Sequence, residues 1–351
     1  MNKYPSIAQF RNVIKEVTDR THYAGRDANG NAVYDSTRRK PVIKMTGTVK
    51  LHGSNGGIGV DANGNYWAQS RENILSLTQD NAGFNVFVQQ LKPLLEPILE
   101  KIRKEHNADR AIVFGEWCGG SIQKGVALNQ LNKMFVAFDV CVYFDGEVDA
   151  NGTAVRHYVN QHIGEFAINE ANIYNIYMFP TFELDIDFQD PQLAQNKLVE
   201  ITNQVEAECP VGKHFGVSGI GEGVVWKGIH TTELGDTPIM FKVKGEKHSV
   251  SKVKTLAEID PVKLENTNKF VEYAVTENRL EQGFNYLKEN NVEISVKSTG
   301  AFLKWVMGDI VKEESDVLIE NGLSVKDISS KASNAARTWF MAQLDKEAFG
   351  G

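Results

Sequence analysis

The sequence predicts an α+β protein in which antiparallel sheets packed with helices are followed by a small all-helical region. Up to about residue 250, short segments of alternating apolar and polar residues succeed one another with tight turns between them. Beyond about residue 255, apolar residues recur at helical spacing instead. A chain of 351 residues that is 42% hydrophobic is long enough for two regions with separate cores.

Strands are the most clearly predicted elements. Residues 44–51 alternate strictly, with Met45 and Val49 on the apolar face and the lysines and threonines on a polar face. Residues 58–60 and 66–68 flank a glycine-containing turn that is typical of a hairpin. Further strands are expected at residues 111–114, 135–143, 224–226 and 239–243.

Two helices are predicted within the first 250 residues. Apolar spacing favours a helix over residues 84–104, and Pro93 and Pro97 predict a kink or a break in it. A second helix is expected to begin at Asp190 and to end near Cys209. The change of pattern near residue 255 predicts one domain over residues 1–254 and a helical domain over residues 255–351.

Composition excludes several classes of protein. The three cysteines form no C-x-x-C pair, which fits a reducing compartment and no disulfide framework. No run of 18 apolar residues exists, and the first residues do not resemble a signal peptide, so we expect a cytoplasmic protein without a membrane span. If the chain is phage-encoded, that compartment is the host cytoplasm. The oligomeric state is open, with a monomer expected.

The overall charge argues mildly against a nucleic-acid partner, because the formal net charge is -7 and such proteins are often basic. Its distribution matters more than the sum. Between residues 240 and 254, five lysines face a single Glu246. This segment is either a basic strip that contacts a polyanion or the solvated edge of a strand.

The most informative segment is Lys50-Leu51-His52-Gly53-Ser54-Asn55. Lys50 and His52 project from the polar face of an alternating strand. A lysine there becomes a nucleophile if desolvation or neighbouring positive charge lowers its pKa. In isolation the tetrapeptide K-x-H-G is a weak signal, and a surface lysine before a turn is the favoured explanation of these four residues.

Other candidate groups also follow or occupy predicted strands. Lys242 and Lys244 share one strand face, with Phe241 and Val243 facing the core, and could straddle a phosphate. Glu222, between two glycines, could hold Mg²⁺ without crowding. The remaining candidates are an acid beside an aromatic residue, Glu116 before Trp117 and Asp139 after Phe138. For Lys242 and Lys244 the alternative is an amphipathic edge strand, and for Asp139 it is plain core packing.

Several standard sites are absent from the sequence. It contains no Walker A loop, no H-E-x-x-H and no G-x-S-x-G. Histidines outside the motifs, including His106, His157 and His162, are expected to be ordinary surface or core residues.

Each segment is weak alone, but their order and spacing resemble a known superfamily. Six segments follow the order of motifs I, Ia, III, IIIa, IV and V of covalent nucleotidyltransferases. In that order they are Lys50–Gly53, Ser70-Arg71, Phe114–Glu116, Phe138-Asp139, Glu222–Val225 and Lys242–Lys244. That superfamily comprises polynucleotide ligases and mRNA capping enzymes. A histidine at the third position of motif I resembles the RNA ligase 2-like family. The resemblance extends from about residue 45 to 250 and implies an antiparallel-sheet nucleotidyltransferase domain, ATP-grasp-like in architecture.

The resemblance also implies an activity, an ATP-dependent RNA ligase that joins 3′-hydroxyl and 5′-phosphate ends, with nicked duplex RNA as the expected substrate. Lys50 would attack the α-phosphorus of ATP and carry AMP, with His52 assisting. Glu116 would bind the ribose hydroxyl and Phe138 would stack on adenine. Val49 and Leu51, beside the nucleophile, join the same nucleotide-binding set.

Further roles concern the phosphates and the RNA. By the same resemblance, Glu222 would bind Mg²⁺ or Mn²⁺, and Lys242 and Lys244 would contact the α-phosphate. Arg71 would engage a phosphate of the nucleotide or of the RNA. The resemblance also implies that Asn55 and Asp139 bind RNA. Asp139 would in addition support the nucleotide pocket.

Alternatives stay open at this point. A DNA ligase or a capping guanylyltransferase of the same superfamily would share these motifs, and a non-catalytic RNA-binding protein could have kept the pocket. The helical C-terminal domain would engage RNA by analogy with the family. Its basic residues alternate with acids, however, which a solvated helix face also explains.

Overall fold

The computed structural model describes residues 1–248 and 267–349. The chain divides into two compact units. The first comprises Met1–Ser6, Thr48–Thr181 and Gln204–Glu222, and the second comprises Ile7–Gly47, Phe182–Asn203 and the described part of Gly223–Gly351. The predicted domain boundary between residues 254 and 255 lies outside the described residues, as do Lys252 and Lys254 of the basic strip. The domain division therefore stays a prediction.

The described elements alternate between strands and helices up to residue 244 and are helical from residue 267 onward. The strands are β1 (Ala8–Gln9), β2 (Tyr23–Arg26), β3 (Ala32–Tyr34), β4 (Val42–Lys50), β5 (Gly53–Asp61), β6 (Tyr66–Ser70), β7 (Arg110–Cys118), β8 (Met134–Tyr143), β9 (His157–Tyr158), β10 (Ile173–Asn175), β11 (Thr181–Asp187), β12 (Gly223–Thr232) and β13 (Gly235–Lys244). The α-helices are α1 (Phe10–His22), α2 (Phe84–Gln90), α3 (Lys92–Glu105), α4 (Gln192–Ala207), α5 (Pro210–His214), α6 (Thr267–Ala274), α7 (Glu277–Glu289), α8 (Thr299–Glu320) and α9 (Val325–Phe349).

The first unit is built on a largely antiparallel sheet with the strand order β10-β8-β7-β5-β6, and β9 also pairs with β8. Only the β8–β10 pair of this sheet is parallel. Helices α2 and α3 cover one face of this sheet. Their side chains in the core are fully buried, and each of these side chains contributes about 1.5–3 kcal/mol of burial free energy. These core residues are Phe84, Val88, Leu95, Leu99 and Ile102. Their packing holds the strands that carry several of the predicted site residues.

The predicted helix over residues 84–104 is two helices. The break falls at Leu91, ahead of both prolines, and Pro93 lies in the first turn of α3, where its missing N–H costs no helical hydrogen bond. Pro97 lies inside α3. The second predicted helix is confirmed as α4, which begins two residues later than expected and is followed by the short α5.

The second unit contains a sheet with the strand order β1-β13-β12-β4-β11 and the hairpin of β2 and β3. Helices α6 to α9 form a separate core in which aromatic rings stack, with the Phe302 and Phe340 ring centroids 4.5 Å apart. The antiparallel sheets packed with helices, and the helical C-terminal region, confirm the predicted α+β class. No helix among the described residues is long and apolar enough to cross a membrane.

A kink interrupts α8 at Glu314, whose φ of -124° and ψ of 15° are not helical. The guanidinium of Arg11 binds the main-chain carbonyl oxygen of Glu313 at this point and also donates to the Glu314 carboxylate at 2.7 Å. A side chain that inserts into the helical hydrogen-bond ladder is a recognised cause of kinks. From the other side, the fully buried Arg279 donates to Glu314 at 2.9 Å. Glu314 thus lies between two guanidinium groups.

Candidate active site

Lys50 is the last residue of β4, and strand alternation determines where its side chain points. Met45 and Val49 are buried at 0% and 3% exposure, so the neighbouring Lys50 lies on the opposite face. Its side chain is 20% exposed, so most of it is removed from water. The predicted polar face is only partly solvated, because Thr48 is buried at 4% exposure. Leu51, the next residue on the apolar side of the alternating segment, is buried at 5% exposure, as the alternation predicts.

Glu222 joins the two motif residues of this segment. Its carboxylate Oε2 accepts a hydrogen bond from Lys50 Nζ at 2.8 Å and lies 3.2 Å from His52 Nδ1. Glu222 is 2% exposed and immediately precedes β12. The next residue must be glycine, because Gly223 has a φ of +152° and a Cβ there would lie 2.2 Å from the Val243 carbonyl oxygen. The structure therefore brings Lys50, His52 and Glu222 together.

Glu116, on β7, is electrostatically coupled to this group. Burial, reinforced by the nearby Glu222 carboxylate, raises the pKa of Glu116 to about 7, against the opposing effects of Lys50 and Arg71. The main-chain N–H of Gly53 donates to it. A Cβ at Gly53 would lie 2.3 Å from the Trp117 carbonyl oxygen, which explains the glycine of the motif. Near neutral pH, Glu116 is thus both a hydrogen-bond donor and an acceptor.

Phe138 and Asp139 lie on β8, and Tyr4 from the N-terminal segment contacts both. The Tyr4 and Phe138 rings meet edge to face, with centroids 4.8 Å apart. Tyr4 donates to one oxygen of Asp139, and Asn160 donates to the other at 2.8 Å. Burial and the Asp139 charge raise the pKa of Tyr4 well above its usual value, so the phenol remains a donor. Phe138 is partly exposed, whereas Asp139 is buried at 1% exposure.

Two further predicted residues lie on this sheet. Asn55 lies on β5 directly opposite Glu116 in the ladder and is partly exposed. Arg71 follows the last residue of β6, is exposed, and lies close enough to Glu116 to stabilise its negative charge. The first unit thus holds the predicted nucleophile, its acidic neighbours and the predicted aromatic and arginine contacts.

Lys242 and Lys244 lie on β13, in the second unit. The register places Lys242 opposite Val225 and Lys244 opposite Gly223, and both are partly exposed on one strand face as expected. Phe241 on the other face is fully buried, but Val243 is only partly buried, since the strand ends one residue later. Lys242 Nζ lies 3.4 Å from Glu313 Oε1 of α8.

Within residues 1–248 and 267–349, sequence reasoning missed Tyr4, Asn160 and Glu313, whose side chains contact predicted site residues. Tyr4 and Asn160 fix the Asp139 carboxylate, and Glu313 pairs with Lys242. Tyr4 and Asp139 are 135 positions apart, and Lys242 and Glu313 are 71 positions apart. None of the three belongs to a local pattern that would have indicated its partner.

The chain is similar to one protein family and to a set of solved structures. A family model described as RNA ligase matches residues 43–244. No curated protein matches. Solved structures of a Naegleria gruberi RNA ligase resemble the chain at low similarity. A mutant of it with ATP and Mn has a TM-score of 0.42 and 16% identity, covering 70% of this chain and 57% of that one. The same ligase with PPi has a TM-score of 0.40 and 15% identity, covering 70% and 58%.

The chain therefore spans less than two thirds of the length of that ligase. The family match, by contrast, begins in β4 and ends at the last residue of β13. It thus includes all the motif residues, from Lys50 to Lys244, and covers more than half of the chain. On this basis the protein belongs to the RNA ligase family.

Proposed function

We propose that this protein is an ATP-dependent RNA ligase that joins 3′-hydroxyl and 5′-phosphate RNA ends through a lysyl-AMP intermediate and an RNA-adenylate, at nicks in duplex RNA. The observation that carries the proposal is the pairing of a partly exposed lysine amine with a buried carboxylate and a histidine at Lys50, Glu222 and His52. That combination supplies a nucleophile and groups that can hold its proton.

The first step forms a P–N bond and breaks a P–O bond. Lys50 Nζ attacks the α-phosphorus of ATP, pyrophosphate leaves, and AMP remains on the amine. The amine must first lose a proton; Glu222 Oε2 accepts its hydrogen bond at 2.8 Å, and His52 Nδ1 lies 3.2 Å from the same oxygen.

The later steps transfer AMP and then release it. An oxygen of the RNA 5′-phosphate attacks the lysyl-AMP phosphorus, so the P–N bond breaks and Lys50 regains its amine. The 3′-hydroxyl on the other side of the nick then attacks the RNA 5′-phosphorus, so a new P–O bond joins the ends and AMP leaves with its own phosphate. These displacements require positioned charges more than covalent chemistry. Asn55 is assigned to the RNA 5′-phosphate, and Arg71 to a phosphate of the nucleotide or of the RNA 5′ end.

Nucleotide recognition falls to Glu116 and Phe138. Glu116, with a pKa of about 7, accepts a hydrogen bond from a ribose hydroxyl when ionised. Phe138 presents a partly exposed ring for stacking on adenine, and Tyr4 supports it from the side. Val49 and Leu51 have buried side chains, so they contribute to the nucleotide pocket through their main chain. Asp139 is assigned a supporting role, and its contact with RNA remains a prediction.

The donor set fits a divalent metal ion of the Mg²⁺ or Mn²⁺ type. The carboxylates of Glu222 and Glu116 interact electrostatically, and hard cations of this type are bound by one or two carboxylates together with substrate phosphates. Glu222 would hold the ion, which when bound neutralises phosphate charge. The α-phosphate contacts of Lys242 and Lys244 remain the prediction that the family resemblance makes.

Incubation with α-labelled ATP and Mg²⁺ tests the proposal. We expect covalent label on the wild-type protein and none on Lys50→Ala. Lys44→Ala is the matched control, because Lys44 lies on the same strand but is 64% exposed and paired with Glu183. Label on Lys50→Ala would remove Lys50 as the nucleophile. Sealing of nicked duplex RNA should exceed sealing of single-stranded RNA, and label from GTP alone, or equal sealing of DNA nicks, would contradict the substrate assignment.

A further inference from the structure

A second cluster of metal-ligating side chains lies in the first unit, outside all the motifs. His106 caps the C-terminal end of α3, beside Glu105, and His162 lies in the 3₁₀ segment Asn160–Phe166. The two Nε2 atoms are 3.1 Å apart, and Glu105 Oε1 lies 3.8 Å from His162 Nε2. One potential ligand atom from each of the three residues lies within 4.8 Å of the others.

We propose that His106, His162 and Glu105 form a binding site for a divalent transition metal ion of the Zn²⁺ type. Imidazole nitrogen and carboxylate oxygen are common zinc ligands. In a tetrahedral site with Zn–N bonds of about 2.0–2.1 Å, two ligand nitrogens are separated by roughly 3.3 Å. The observed separation of 3.1 Å is close to that value. The rings meet almost at right angles, at 88°, with their centroids 5.3 Å apart.

The surroundings of His162 support the assignment. His162 is 7% exposed, and its other ring nitrogen, Nδ1, lies 3.0 Å from Glu165 Oε1. Lys101 in turn holds Glu165 at 3.3 Å. A carboxylate behind a histidine fixes the ring orientation and the tautomer, as is usual for metal-bound histidines. Because Nδ1 faces Glu165, the ring nitrogen that faces the cluster is Nε2.

Without metal, the same geometry is a hydrogen bond between the two rings. One of the two Nε2 atoms then carries the hydrogen, and metal binding requires that proton to leave or to move to Nδ1 of the same ring. Three protein ligands leave a fourth position for water. A bound ion would join the end of α3 to the 3₁₀ segment Asn160–Phe166, so the site would stabilise the first unit. Its nitrogen ligands distinguish it from the oxygen ligands offered by Glu222, which suit Mg²⁺.

Titration of the chelator-treated full chain with Co²⁺ tests the proposal, because tetrahedral Co²⁺ absorbs visible light and replaces Zn²⁺. We expect saturation at one equivalent, displacement by Zn²⁺ but not by Mg²⁺, and a rise in melting temperature. His106→Asn and His162→Ala should each weaken binding at least 100-fold, and Glu165→Ala should weaken it about 10–100-fold. His157→Ala is the control, because His157 pairs with Glu147 at 2.8 Å without belonging to the cluster.

Two results would overturn the inference. One is no Co²⁺ absorption at millimolar Co²⁺, which would leave the cluster as a hydrogen-bonded histidine pair. The other is absorption that survives in folded His106→Asn, checked by circular dichroism. His106 is the less buried ring, so this variant decides the question even if His162→Ala does not fold. The readouts are independent of adenylylation, so failure here leaves the proposed ligase activity unaffected.

Discussion

Each unit pairs a predicted site lysine with a buried glutamate, and the two pairs differ in origin. In the first unit, Glu222 accepts from Lys50 at 2.8 Å and is 2% exposed. In the second, Glu313 lies 3.4 Å from Lys242 and is 6% exposed. Glu222 belongs to a motif of its own, whereas Glu313 comes from α8, in a region without recognisable motifs. The difference shows that a motif lysine can depend on a partner that no motif contains.

The largest expected effect separates the two glutamates by function. Glu222→Ala should reduce covalent adenylylation by roughly 10³-fold, about 4 kcal/mol, because it removes the partner of Lys50 and His52 and the proposed metal ligand. Glu313→Gln is the comparison variant and should keep the label within about tenfold. Rates of label formation at saturating ATP measure both. Equal loss in the two variants would mean that the two pairs do not differ in role.

Removing the carboxylate next to Glu313 tests stability instead. Glu314→Ala should lower the free energy of unfolding by about 3 kcal/mol, because it leaves Arg11 and the buried Arg279 without their shared partner. Burial alone would raise the pKa of Glu314, but Arg11 and Arg279 outweigh it and hold it below the usual value. Urea unfolding measures the loss. Glu320→Ala, in the last turn of α8, is the control and should change stability by less than about 0.5 kcal/mol.

Glu116 provides a carboxyl group whose ionised form is disfavoured. Its pKa of about 7, raised chiefly by burial, means that folding favours the protonated form. The stabilisation is fully present below the ordinary pKa of 4.5 and is lost as pH rises through about 7. Glu116→Gln should therefore match wild-type stability near pH 4.5 and exceed it by about 2 kcal/mol at pH 8, allowing for partial solvent screening. Thermal melts at both pH values measure the difference, and a constant difference would contradict the shifted pKa.

The smallest effect concerns Glu313 itself. Burial would raise its pKa, but Lys242 and Gln9 lower it below its usual value of 4.5. A lowered pKa contributes stability above pH 4.5 that is lost as pH falls through the folded value. Glu313→Gln should cost about 1 kcal/mol at pH 7 and progressively less in acid. Chemical unfolding at pH 7 and pH 4 tests this, and a cost that grew in acid would exclude the ion pair as its source.

Local patterns made much of the fold predictable. Alternation identified β4 and the buried faces at Met45 and Val49, because a half-buried strand imposes a period of two. The break between α2 and α3 was expected from the prolines, but its position at Leu91 was not, since a proline in the first turn is tolerated. The partial burial of Val243 departs from the pattern because strand ends are less covered.

The site was predictable only as far as its motifs extend. Lys50, Glu116 and Glu222 stand out locally, but the contact between Lys50 and Glu222 spans 172 positions. Alternation predicts which face of the strand a side chain lies on. It does not predict which acid, far away in the sequence, contacts that side chain. Tyr4 lies outside any pattern, and its contact with Asp139 arises from the path of the N-terminal segment. The resemblance to the motif order of covalent nucleotidyltransferases placed Glu222 in the same site as Lys50. It gave no such indication for Glu313, which belongs to no motif.

The kink at Glu314 has a consequence for how the helical region can be studied. Two adjacent acids hold different parts of the same unit there, one facing Gln9 and Lys242 and the next facing Arg11 and Arg279. A protein truncated after residue 254 would lose both acids and leave Arg11, which is only 16% exposed, without them. Failure of such a truncation to seal RNA would confound misfolding with loss of RNA contact. Charge reversal of exposed lysines on α9, such as Lys331, tests the loss of RNA contact alone, because Glu313 and Glu314 keep their partners.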